Sequence, residues 1–152
     1  MPSKRDQIRM SEDEMHSFLA SQKTVIVATT GPAGRPHLMP LWYVPDGLTL
    51  RGWTFAKSQK VKNLERDPRA TLEVEDGVEY HELRGVMLEC DVELLRDVER
   101  VGDIGAELVD RYAGGSDEAK AAFRLQAPKR VGLVFSPTRI VSWDHRKLAG
   151  TY

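Results

Sequence analysis

At 152 residues the chain has the size of one domain, long enough for folding to bury roughly 70% of the extended-chain surface without staples. Its 41% hydrophobic and 30% charged residues are those of a globular protein, and exclude a disordered one. The 22 basic and 23 acidic residues give a net charge of −1, which lacks the basic excess of a general nucleic-acid binder.

No hydrophobic stretch follows the basic residues of MPSKRDQIRMSEDE, so no secretory signal is expected there. No apolar run approaches the roughly 20 residues that span a bilayer, and a cytoplasmic location is the expectation. Ser11 and Glu14 form a capping box, and Met15, Phe18 and Leu19 follow at helical spacing, which predicts a helix over 12–21. KTVIVATT (23–30) is a buried strand. A Gly31-Pro32-Ala33-Gly34 turn follows, and PHLMPLWYV (36–44) resumes as a second strand, kinked or at an edge because of Pro40. Pro45-Asp46-Gly47 turns the chain into a third strand, 48–55, completing an antiparallel meander.

Residues 58–66 read as a short helix stopped by Asp67-Pro68. A fourth strand covers 69–75 and a fifth covers 80–94, with Val86, Leu88, Cys90 and Val92 on one face. Val98, Val101, Ile104, Leu108 and Tyr112 set an apolar stripe along a helix of 96–112, ended by Gly114-Gly115. Ser116-Asp117-Glu118 opens another helix to Leu125, and two closing strands, 130–135 and 139–143, are separated at Ser136-Pro137. Six or seven antiparallel strands with inserted helices suggest a small barrel or sandwich. Residues 1–11 read as an N-terminal arm and 144–152 as a C-terminal tail of a single domain.

Charge is unevenly placed. Residues 51–69 carry a local +4, residues 70–107 a local −9, and the chain from Pro128 onward another +4. Two basic stretches could converge on one anionic ligand; the alternative is that each is a solvated face. The 53–64 segment is the most informative, because a strand ends, Ser58 caps, and a helix begins with Lys57 before it and Lys60 in its first turn. Lysines there oppose the helix dipole, and Glu65 and Asp67 oppose it at the other end. A phosphate at the helix start would resolve the first anomaly, held by free amides, the Ser58 hydroxyl, Lys57 and Lys60. The competing reading is a surface helix whose charges do not matter, each dipole contribution being only about 0.3–1 kcal/mol.

In order, Ala28-Thr29-Thr30, a glycine turn, Pro36 to Tyr43, the run Lys57 to Leu64 and Asp67-Pro68-Arg69-Ala70 resemble the pyridoxamine 5'-phosphate oxidase-like split β-barrel superfamily. The likeness is greatest to its F420 (deazaflavin)-dependent oxidoreductases. It covers residues 12–143 in element order, with its specific signal in 24–70. The resemblance implies a six- to seven-stranded antiparallel split β-barrel and a homodimer with a cofactor in each of two clefts between subunits. It maps the phosphate arm onto Lys57, Ser58 and Lys60, and backbone contacts onto Phe55 and Ala56. The cofactor ring maps along Met39, Pro40, Leu41 and Trp42, with His37 nearby. Coenzyme F420 is the expected cofactor and FMN the alternative. The expected activity is hydride transfer to an electron-poor double bond of a small molecule such as an enone, quinone or tetrapyrrole.

The alternatives are an FMN-dependent oxidase or reductase, and a non-catalytic flavin, deazaflavin or haem binder. Arg146 and Lys147 could mimic the substrate-phosphate residues of the pyridoxamine phosphate oxidases, without their signature, or meet a long anionic cofactor tail. Homodimerisation is also expected from Trp42, Tyr43 and Trp53, read as lying on the outer face. The histidines, His16, His37, His81 and His145, lack metal-ligand spacing, so no metal site is expected. His145 is the ligand a haem reading would use. The lone thiol, Cys90, reads as buried core, and excludes intramolecular disulfides. Trp143 and Tyr112 are expected in the core or a dimer interface, with contact to the cofactor ring as the alternative. No acid–base residue is indicated.

Overall fold

In the computed structural model, which describes residues 1–151, seven strands form one antiparallel sheet. These are β1 (Thr24–Thr30), β2 (Pro36–Trp42), β3 (Val44–Asp46), β4 (Thr49–Phe55), β5 (Arg69–Asp76), β6 (Arg84–Leu95) and β7 (Arg130–Asp144). Their order across the sheet is β2-β1-β5-β6-β7-β4-β3. The two edge strands, β2 and β3, are consecutive in the chain, with Tyr43 alone between them. Edges joined by one residue must lie side by side, so the sheet curls into a barrel. β4 pairs with β3 only over Thr49 to Arg51, and no ladder joins β2 to the rest of β4. That unladdered seam is the split. Gly52 permits the closest approach across it, since a Cβ there would sit 3.0 Å from both Leu41 Cδ2 and the Trp42 carbonyl oxygen.

Alternating burial fills the barrel: Val25 and Val27 of β1, Leu72 and Val74 of β5, Val86 and Leu88 of β6, and Leu133 and Phe135 of β7 are all essentially inaccessible. Helix α2 (Glu12–Ser21), capped by Ser11 accepting from the Glu14 amide at 3.2 Å, plugs one end with Phe18 and Leu19. Helix α4 (Val98–Tyr112) lies on the outer face of β4, where Val101, Ile104 and Leu108 enclose Trp53. Helices α3 (Gln59–Arg66) and α5 (Asp117–Arg124) follow β4 and α4, each behind a serine cap, and α1 (Lys4–Gln7) is one turn of the N-terminal arm.

Several expectations are corrected. The second strand ends at Trp42, because Tyr43 turns inward, fully buried, and donates its hydroxyl to the Leu19 carbonyl at 2.6 Å. Trp53 is also buried, at 7% exposed, so of the three aromatics read as outward-facing only Trp42 is exposed. Residues Tyr80–Glu82 form a 3-10 turn, and the fifth strand begins at Arg84. Ser136-Pro137 does not break the last strand. A bulge passes the register from Glu89–Arg139 to Cys90–Pro137, and Thr138 donates its hydroxyl to the Glu89 carbonyl at 3.1 Å. The N-terminal arm meets the C-terminal tail: the Asp144 amide donates to the Ile8 carbonyl at 2.7 Å and the Lys147 ammonium to the Arg9 carbonyl at 2.7 Å. Tyr152, the last residue of the expected tail, lies outside the described residues. No helix among the described residues is long and apolar enough to cross a membrane.

Candidate functional site

The start of α3 gathers the residues singled out for an anion. Ser58 is the N-cap, and its hydroxyl oxygen accepts from the Val61 amide at 3.4 Å, which leaves its O–H proton free to donate. Among the described residues, the amides of Gln59 and Lys60 take no backbone acceptor, as the first turn of a helix requires. Lys57 is exposed beside them. Lys60 is not: it is 5% exposed, and its ammonium donates to the Thr54 hydroxyl at 3.3 Å. Burial lowers its pKa, and no carboxylate among the described residues faces it. Lys62, two residues on, is exposed.

The charges at the far end of α3 differ in kind. Glu65 pairs with Arg96 at 3.6 Å. Asp67 accepts from the Arg69 guanidinium at 2.9 Å, which holds its carboxyl below the usual range. The acidic side chains that oppose the helix dipole are therefore neutralised by partners, and the lysines that oppose it are not. Asn63 fixes the helix against the sheet: fully buried, it donates to the Thr29 hydroxyl at 3.1 Å and accepts from Gln59 at 2.8 Å.

β2 brings in the second group. His37 pairs with Thr29 in the β1–β2 ladder, and Thr29 holds Asn63, so the start of β2 and α3 share neighbours. His37 is half-buried, and its Nδ1 is buried with no hydrogen-bond partner. Met39, Pro40 and Trp42 are exposed and Leu41 is half-buried, lying against Gly52 across the seam. Phe55, 57% exposed, ends β4. The backbone of Phe55 and Ala56 is partly occupied: the Phe55 carbonyl accepts from the Ser58 amide at 3.0 Å, and the Ala56 amide donates to the Lys129 carbonyl at 2.9 Å.

Thr54, Thr29, Asn63 and Arg130 are the neighbours that sequence reading left out. Hydrophobic alternation along β4 marked Thr54 only by its place in the strand, and the contacts of Arg130 with Phe55 cross a long stretch of chain. Arg130 lies over the Phe55 ring, 3.7 Å from its centroid, and near Trp53 at 4.9 Å. Four carboxylates of the acidic 70–107 segment pair with arginines, Asp76 with Arg84, Glu89 with Arg139, Asp103 with Arg124 and Glu107 with Arg51. The basic tail is likewise committed, Arg146 to Asp144 at 2.7 Å and Lys147 to Glu14 at 2.6 Å. Tyr112 stacks on Trp42 at 4.4 Å, and Trp143 fills the space over Gly85. His145 meets Tyr80 edge-on at 4.7 Å. Among the described residues no group of histidines, cysteines and carboxylates could hold a metal. Cys90 is a buried free thiol, pushed up to about 12 by desolvation.

A phosphorylated cofactor fits these residues. A buried ammonium with one neutral acceptor, unclaimed first-turn amides and a free hydroxyl proton together form a donor set without an acceptor of matching charge. Phosphate chemistry supplies that acceptor.

Comparison with known proteins identifies the family. The sequence pattern of the pyridoxamine 5'-phosphate oxidase family matches residues 11–144. A conserved hypothetical protein from Mycobacterium tuberculosis is 42% identical, with a TM-score of 0.90 over 99% of this chain and 95% of that one. A protein described as an F420 reductase is 26% identical, with a TM-score of 0.66 over 92% of this chain and 98% of that one. A haem storage protein from Vibrio cholerae, 18% identical with a TM-score of 0.69, covers 86% of this chain and 94% of its own, a likeness of fold alone. No curated protein matches. With seven antiparallel strands curled about a seam and the family pattern spanning nearly the whole chain, this protein belongs to the pyridoxamine 5'-phosphate oxidase family of split β-barrels.

Proposed function

We propose that this protein is an F420-dependent oxidoreductase acting as a homodimer on a small molecule with an electron-poor double bond. Family membership and the F420 reductase relative support the oxidoreductase reading. The observation that carries the cofactor site is Lys60, a buried ammonium at a helix start with only a hydroxyl for company. Lys60, Lys57, the Ser58 hydroxyl and the first-turn amides would grip the phosphate. Met39 to Trp42, with His37, would line the ring along the seam, and the end of β4 at Phe55 and Ala56 would border its side chain. Reduced deazaflavin, when bound, supplies a hydride. The protein's own part is to hold, orient and exclude water.

FMN is the second reading, and one observation favours it. Arg146 and Lys147 already have carboxylate partners, so fewer free cations are left for the glutamates that F420 carries beyond its phosphate. Fluorescence titration separates the two. Lys60→Ala should weaken cofactor binding by about ten- to a hundredfold, the loss of one charge-assisted contact, and Lys62→Ala far less. F420 should bind more tightly than FMN at low salt, with the gap narrowing as salt rises, because exposed charges act over about 10 Å at 0.1 M. FMN binding equally well at every ionic strength, or co-purifying, replaces the deazaflavin with flavin. Equal effects of the two lysine changes remove Lys60 from the phosphate site.

A further inference from the structure

Beside the seam, on the outer side of β4, lies a second cleft of about 340 Å3. Its walls are aromatic: Trp42 from β2, Trp53 from β4 and Phe123 from α5. These rings are held in place, since Trp42 is stacked on Tyr112 with planes 9° apart and Trp53 on Phe123 with planes 12° apart. Two polar side chains enter it, Gln126 and Arg130. The Arg130 guanidinium donates to the Gln126 side-chain Oε1 at 2.8 Å, while its Nε–H is buried with no acceptor. No carboxylate among the described residues pairs with it, in contrast to Arg51, Arg84, Arg124, Arg139 and Arg146. Burial alone disfavours its charged form.

A cleft with flat apolar walls selects a flat conjugated molecule, and a guanidinium with an unused buried donor selects an anionic oxygen at that molecule's edge. Phosphate is a poor fit, because the aromatic walls leave room for one polar edge and the phosphate donors lie at the start of α3. We infer that this cleft is the substrate subsite, and that it takes planar conjugated carboxylates, with Arg130 binding the carboxylate and the exposed Trp42 flanking the conjugated system. The inference rests on the reading of β2 as the strand that carries the cofactor ring, since Pro40, Leu41 and Trp42 line both places.

The test needs no turnover. Quenching of tryptophan fluorescence by 2-naphthoate and by its neutral analogue 2-naphthamide compares one shape with and without the charge. The acid should bind about tenfold more tightly, as expected for a charge-assisted hydrogen bond over a neutral one. Arg130→Met, which keeps apolar bulk over Phe55, should bring the two ligands to parity, and Arg130→Lys should retain a preference for the acid. Thermal unfolding of each variant checks the fold. Lys60→Met should change naphthoate affinity less than twofold while lowering F420 and FMN affinity. Equal binding of acid and amide to the unaltered protein overturns the assignment. So does an Arg130→Met variant that loses F420 and FMN as severely as Lys60→Met, which would place Arg130 in the phosphate grip. If neither cofactor binds but the acid is still preferred through Arg130, the subsite stands and the proposed activity falls.

Discussion

Lys60 is a residue whose cost to the fold can be argued separately from its use. Its side chain is buried and its ammonium meets a threonine hydroxyl, a neutral partner that does not offset the loss of hydration. Replacing a buried, unpaired cation by an apolar side chain of similar length should stabilise the unliganded protein. For Lys60→Met we expect about 1 kcal/mol, a rise in Tm of roughly 2–4 °C for a chain of this size, together with loss of cofactor binding. The pH dependence carries a definite sign. Desolvation puts the folded-state pKa of Lys60 below its ordinary 10.5, so between the two values the unfolded chain holds the extra proton. Stability from this group therefore rises with pH across that window and is lost as pH falls through the folded-state value. Cys90, raised to about 12, and Tyr43, also raised to about 12, act oppositely above pH 9 and 10, so the comparison is between the variant and the unaltered protein. Thermal melts at pH 7 and pH 10 should show the stability advantage of Lys60→Met shrinking at the higher pH. A variant less stable at pH 7, with no change in the pH slope, would mean the ammonium is better solvated than its burial indicates.

Helix α4 shows how one element sets the shape of the candidate site. Its Gly105 faces Trp53, and a Cβ there would stand 2.6 Å from Trp53 Cζ3. The ring cannot retreat freely, being stacked on Phe123 and covered by Arg130. Helix propensity alone favours alanine over glycine by about 1 kcal/mol, whereas forcing a methyl into a packed contact costs about 1–3 kcal/mol. Overpacking wins, and Gly105→Ala should lower Tm and shift the tryptophan emission; an unchanged or raised Tm would show that α4 can move away from β4 at little cost. Elements of this kind divide by how local their signals are. The helix over 12–21 was legible to the residue, because Ser11, Glu14 and the Met15, Phe18, Leu19 stripe lie within one short segment. So was the cap at Ser58. The turn inward at Tyr43 was not, since its hydroxyl finds the Leu19 carbonyl and its backbone the Tyr112 hydroxyl, both distant in sequence. Ser136-Pro137 has the local chemistry of a break, and only the twelve-residue β6 beside it turns that break into a bulge. The residues proposed to hold the phosphate are neighbours in the chain and could be read together. Arg130 and its aromatic cleft are assembled by the sheet from β2, β4, α5 and β7, and no periodicity announces such a group.

At the scale of the whole molecule, the candidate site lies beside apolar side chains that a single chain leaves exposed. β2 is an edge strand, with one side paired to β1 and the other facing the seam. Leu38, Met39 and Trp42 on it are 60%, 45% and 48% exposed, and Phe55 at the end of β4 is 57% exposed. An edge that is apolar and unblunted by charge invites cover, since β2 carries His37 as its only ionisable group. A second copy of the chain, packed over this edge, would bury the four side chains and close the water-exposed side of the cofactor cleft. Light scattering at micromolar concentration should therefore give twice the 17.1 kDa of one chain. Leu38→Glu places a charge where a monomer already exposes the side chain, so it should leave the fold and Tm of a subunit nearly unchanged. In the dimer the same charge would be buried without a partner, which costs several kcal/mol and should shift the mass toward 17.1 kDa. Cofactor affinity should fall with it, because the cleft would lose one wall while Lys60 and Ser58 remain intact. A Leu38→Glu protein that stays dimeric would move the interface to another face. One that becomes monomeric and still binds cofactor with full affinity would show that a single barrel completes the site alone.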